Sequence, residues 1–171
     1  MEKNDTIIPI DTLEFIDFWD EFRMAVLNQD TAKLNPMLDS EIEGDCFLQV
    51  PDLDQSYHDW ILFNNRKITK YRLLEVWDKL FINPYVDLLE KYDIRKDLFS
   101  EKDFTKKSYL CEILLGNRLY RASVYFNEDN SISYYMSFSI GHNYAHSLAI
   151  DLIFIKRKGE SIKLHKIDCS A

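Results

Sequence analysis

A chain of 171 residues with 46% hydrophobic and 14% aromatic residues has the material for one packed domain, and this composition excludes a disordered chain. Its 29 acidic residues against 21 basic ones give a formal charge of −8, which makes the surface a poor ligand for a nucleic-acid backbone. No apolar run approaches a membrane span, and none near the N-terminus is long enough for a signal peptide.

Phe15, Phe18/Trp19, Phe22 and Ala25/Val26 recur at three- and four-residue steps, which predicts an amphipathic helix with an aromatic stripe facing a core. Asp11 caps that helix, and Glu14 is placed to complete a capping box. Asp30 is a fresh N-cap for a short helix, from Thr31 to about Asn35, ended by Pro36. Then "CFLQV" reads as a short strand stopped by Pro51, and "PDLDQSYHD" as an acidic surface loop. Thr69 caps a second long helix through about Phe81, with Leu73/Leu74, Trp77 and Leu80/Phe81 on its apolar side. Asn83 and Pro84 restart a helix whose apolar contacts are Tyr85, Leu88 and Leu89.

The character changes after about Lys106. "SYLCEILL" and "RLYRASVYF" flank Gly116-Asn117 as a hairpin with a primed turn. "SISYYMSFSI" alternates: Ile132, Tyr134, Met136, Phe138 and Ile140 point one way, while Ser131, Ser133, Tyr135, Ser137 and Ser139 point the other. "LAIDLIFI" and "SIKLHKID" make another hairpin around Lys158-Gly159, and the broken alternation after Leu164 predicts a bulge. Lys156-Arg157-Lys158 reads as the solvated tip of that hairpin. Helices first and strands afterwards spell α+β in a single domain over residues 1–171. The helical part covers about 11–95 and packs on a curved antiparallel sheet from about 107–169.

This order resembles the cone-shaped fold of nuclear-transport-factor-like proteins, the superfamily that includes ketosteroid isomerase and scytalone dehydratase. "FWDEFRMAVLNQDTAKLNPML" looks like that family's long helix, corner and short helix. "ITKYRLLEVWDKLF" resembles a helix of small bacterial members, and "LIFIKRKGESIKLHKIDC" resembles their closing hairpin. The resemblance implies a homodimer with a pocket between sheet and helices, lined by Tyr134, Met136, Phe138, Trp19 and Trp77. It carries no mechanism, because the fold hosts isomerases, dehydratases, ligand carriers, immunity proteins and protein-binding modules. No pattern in this chain matches the isomerase's Asp base and Tyr/Asp oxyanion hole.

Asp151 is the most informative carboxylate. It interrupts "LAIDLIF" with Ala149 and Ile153 as same-face neighbours, and an apolar pocket there raises its pKa towards neutrality, as acid/base work requires. The alternative is an outward-facing Asp in an ion pair. His165 shares a face with Asp151 if the last two strands pair, which makes either an acid/base unit or a cross-strand surface contact. His142 and His146 are four apart but lie between strands without the Glu of a metalloprotease helix. His58 with Asp52, Asp54 and Asp59 lacks the glycine and terminal Glu of a calcium loop. No metal and no cofactor are therefore expected. Cys46, Cys111 and Cys169 have no zinc-like spacing and are expected as reduced thiols of a cytoplasmic protein, although an exported chain stripped of its signal looks the same.

The function expected from all this is non-catalytic: binding of a protein partner or a small, partly apolar ligand in the cleft between sheet and helices. One alternative is an isomerase- or dehydratase-type enzyme using Asp151, with His165 and Tyr134 assisting. Another is an immunity or regulatory protein with an acidic binding surface. Neither nucleic acid nor membrane is expected as a partner.

Overall fold

The computed structural model describes residues 5–44, 55, 59, 65–81, 83–98, 108–140 and 147–170. Helix α1 spans Thr12–Leu27, and the Asp11 carboxylate accepts from the backbone N–H groups of Leu13 and Glu14. Glu14 does not close a capping box. Its carboxylate takes Lys156 Nζ at 2.6 Å, which ties the helix start to a distant hairpin. Asp30 caps α2 (Thr31–Leu34) by accepting from Lys33 N, and a 3₁₀ turn over Asn35–Met37 carries Pro36 where its missing donor costs nothing.

The chain then enters β1 (Leu38–Glu43) and β2 (Lys67–Thr69). Thr69 caps α3 (Lys70–Glu75), as expected, but the helix does not run on to Phe81. Val76 leaves helical geometry at φ −113°, and a separate turn, α4 (Trp77–Leu80), follows. Helix α5 (Asn83–Lys91) and a wide π-type turn (Ile94–Leu98) complete the helical half. "CFLQV" lies outside the described residues. Within the expected loop 51–59, Gln55 and Asp59 are both helical, with the Gln55 amide donating to Asp59 Oδ1 at 3.0 Å. That i,i+4 bond corrects the loop reading at these two positions.

The second half supplies β3 (Ser108–Leu115), β4 (Arg118–Phe126), β5 (Ile132–Ile140), β6 (Ser147–Lys156) and β7 (Ile162–Ser170). The β3–β4 connection is Gly116-Asn117. Gly116 has φ 62° while Asn117 stays at negative φ, the pattern of a II′ turn with glycine first. Strand order is β2-β1-β7-β6-β5-β4-β3 in one curved, unclosed sheet. Every pairing is antiparallel except β1–β7, which is parallel. The sheet is thus mixed, with two strands more than the second half provides. The bulge falls after Leu164: Ile153 faces Lys166 while Phe154 faces Leu164, leaving His165 as the extra residue.

Ring contacts fix which side of the sheet the helices cover. Trp19 stacks on Tyr134 at 3.7 Å, Phe15 and Phe22 meet Phe154 edge-on at 5.6 and 5.3 Å, and Tyr85 meets Phe138 at 5.5 Å. Phe22 also touches Trp77 at 6.3 Å. Burying each such ring contributes on the order of 2–3 kcal/mol, and favourable ring geometry adds about 1 kcal/mol more. Period-two alternation sends Ser133, Tyr135, Ser137, Asp151 and Ile153 to the opposite side. Cys169 is disulfide-bonded while Cys111 carries a thiol, which corrects the expectation of three reduced thiols.

Candidate functional site

Strand β1 buries Leu38 and Ile42 in the core, so Asp39, Glu41 and Glu43 project to the side away from the helices. On the neighbouring strand the bulge turns His165 outward next to Asp39. Arg157 comes from the far end of β6, where the N-terminal segment holds the backbone. Ile7 bridges Arg157, Ile8 N donates to Lys156 O at 2.9 Å, and Lys158 N donates to Thr6 O at 3.1 Å. Residues from opposite ends of the chain therefore converge.

Their geometry is tight. Arg157 grips Asp39 with both terminal nitrogens, Nη1 to Oδ1 at 3.0 Å and Nη2 to Oδ2 at 2.8 Å. His165 Nδ1 lies 2.8 Å from the same Oδ2. The Asp39 side chain is 13% exposed and that of Arg157 is 18% exposed, so this ion pair is largely out of water. Burial alone pushes the Asp39 carboxyl up. The hydrogen bonds from His165 and Arg157, with the Arg157 charge, outweigh it and hold the group well below the usual carboxylate range. Reciprocally, the hydrogen bond to Asp39 raises Arg157 above its ordinary value. A carboxylate oxygen only accepts, so Nδ1 is the donor in this contact.

A cavity of about 200 Å³ opens over this network. Its rim adds Ser40, Glu41 and Glu43 from β1 and Lys67 from β2. Asp5 and Glu160 complete it, with carboxylates 3.9 and 3.7 Å from Arg157. Once Asp39, Arg157 and His165 have satisfied one another, four carboxylates remain against Lys67. The site accepts hydrogen bonds and favours positive charge. It also corrects the reading of Lys156-Arg157-Lys158 as a solvated tip. Lys156 is held by Glu14 and Arg157 by Asp39, and only Lys158 is exposed.

The expected site residues fall elsewhere or pair differently. His165 meets Asp39, whereas the Cα partner of Asp151 across β6–β7 is Asp168. Asp151 lies on the side away from the helices, with Oδ1 enclosed and accepting no hydrogen bond from a described residue. Burial first, then the Asp168 charge, push its carboxyl up to about 6, with Lys166 opposing. Tyr134 points to the helix side, so the sheet separates it from Asp151. Trp19, Trp77, Tyr134, Met136 and Phe138 are all buried in the aromatic core. The indole N–H groups of Trp19 and Trp77 find no acceptor among the described residues.

His58, His142, His146, Asp52 and Asp54 lie outside the described residues. Among the described residues, no group of three or more His, Cys, Asp or Glu side chains is placed to hold a metal ion. Nor is any described helix long and apolar enough to cross a membrane. Ser133, Ser137 and Ser139, read as a polar strand face, are nearly enclosed on the side away from the helices. The sequence does not single out Asp39 and reads Arg157 only as part of a solvated basic tip, because each looks like an ordinary surface charge. The faint signal was the bulge, which marks a strand re-aiming a side chain. No protein-family model matches the sequence, and comparison with curated proteins finds no match.

Proposed function

We propose that this chain is a non-catalytic domain of the nuclear-transport-factor-like cone type that works by binding a protein partner. The partner inserts a basic side chain into the Asp39 pocket, on the side of the sheet away from the helices. One observation carries this reading: the space between sheet and helices is occupied by rings in mutual contact, while an open, carboxylate-rimmed cavity lies on the other side. Its walls are pre-set by the Arg157–Asp39–His165 network, which lowers the ordering cost of binding. Leu110, Leu114 and Tyr125 stand exposed on that same side of β3 and β4 and supply apolar surface for a second copy, in keeping with a homodimer. The Cys169 disulfide favours an oxidising compartment over the cytoplasm.

The test is capture from the native host by three forms of the chain: wild type, Glu41→Lys/Glu43→Lys at the pocket rim, and Glu90→Lys on α5. A partner held by wild type and Glu90→Lys but lost from the rim variant supports the reading. Equal retention by all three places the binding surface elsewhere.

A second reading rests on the His165 Nδ1–Asp39 contact of 2.8 Å beside an open pocket. A histidine so oriented serves as an acid/base group in an isomerase- or dehydratase-type reaction. Turnover abolished in His165→Ala but unchanged in the rim variant favours it over binding.

A further inference from the structure

Beyond the Asp39 pocket, one other group of titratable side chains has a geometry that packing alone does not account for. Asp151 and Asp168 occupy directly opposed positions across β6–β7, where Cβ atoms are about 5 Å apart. On the other flank Asp151 faces Tyr135 of β5, and along its own strand it is bracketed by Ala149 and Ile153. The nearby cation is Lys166, with Nζ 3.1 Å from Asp168 Oδ2, and Glu43 of β1 is the Cα partner of Lys166 on its far side. Lys166 is thus engaged by Asp168, and Asp151 keeps an enclosed oxygen that no described residue hydrogen-bonds. A carboxylate in that position is poorly solvated and faces a like charge. A neutral carboxylic acid suffers neither penalty.

We propose that Asp151, directly opposed by Asp168, holds a proton in mildly acidic solution, and that releasing it loosens the β6–β7 pairing near the end of the chain. The pair is a proton-operated latch on the strand that also carries His165. Burial and the Asp168 charge put the Asp151 midpoint near 6, against an ordinary 3.8. The sign follows directly. Between those two values the folded chain binds a proton that the unfolded chain has released, so the pairing tightens as pH falls from above 6 towards 3.8. On the opposite side of β7 Cys169 is anchored by its disulfide, so the release is a local opening rather than loss of the strand. This inference does not depend on the pocket or on any partner.

The experiment is amide hydrogen exchange, corrected for intrinsic pH dependence, at pH 5.5 and 7.5. Amides of β6 and β7 near Asp151 and Asp168 are expected to gain roughly fourfold protection at the lower pH, since pH 5.5 lies only about half a unit below a midpoint near 6. In Asp151→Asn the protection is expected to be high at both values, and in Asp168→Asn the pH effect shrinks without vanishing. Protection that is independent of pH in the wild type, or an unchanged pH effect in Asp151→Asn, overturns the proposal. Should a variant fail to fold, carboxyl-carbon NMR titration of the wild type decides alone. One aspartate midpoint near 6 supports the latch, and all aspartates titrating in the ordinary range eliminate it.

Discussion

Asp39 accepts hydrogen bonds from both terminal nitrogens of Arg157 and from His165, and truncating it leaves a guanidinium largely out of water with only the looser Asp5 and Glu160 carboxylates at 3.9 and 3.7 Å. Breaking such a pair from one side costs about 3 kcal/mol or more, so Asp39→Ala is expected to lower stability by that amount in denaturant titration. His165→Ala removes a partner at a more open position and is expected to cost about 1 kcal/mol. The pH dependence has a definite sign. The folded pKa of Asp39 lies below its ordinary 3.8, so its contribution is fully present above 3.8 and is lost as pH falls through the lower folded value. Acid unfolding below pH 4 is therefore expected to be steeper for wild type than for Asp39→Asn, and equal slopes would contradict the network.

At the scale of elements, Gly44 is where β1 ends against β7. Its φ is +154°, and a Cβ there would sit 1.7 Å from the carbonyl oxygen of Ile167, a backbone atom that cannot swing aside. Gly44→Ala is expected to destabilise by roughly 2 kcal/mol or more and to detach β1, abolishing the pocket wall that carries Glu41 and Glu43. Thermal melts combined with exchange at Glu41 and Ile42 would show it. The α1 stripe was legible because a buried helix repeats every three to four residues, and Phe15, Trp19 and Phe22 keep that step. β5 was legible because alternation separates serines from large apolar residues. β1 and β2 were not. "LDSEIE" offers only Leu38 and Ile42 as apolar markers, "KIT" is three residues long, and their pairings depend on a parallel partner over a hundred residues away. The periodicity through "RLLEVWDKLF" is continuous, so nothing local announced that Val76 would leave the helix.

For the whole molecule, the same distinction explains the site. Asp39 is separated from Arg157 and His165 by 118 and 126 residues, so only tertiary topology brings them together. The helices-on-sheet arrangement was readable; the cavity on its other side was not, because each lining charge passes for a solvated one. Sedimentation at tens of micromolar is expected to give twice the 20.4 kDa chain mass, with Leu110→Glu/Leu114→Glu reverting to the monomer. A monomeric wild type would remove the homodimer. In unreduced protein Cys111 is expected to be alkylated and Cys169 to be protected until reductant is added. The most direct measurement is NMR chemical-shift mapping of the labelled chain with its captured partner. Perturbations confined to Asp39–Glu43, Arg157–Glu160 and His165 are the expected result. Perturbations centred on the α1 and α5 surfaces, or on the Trp19 and Trp77 indoles, would contradict it.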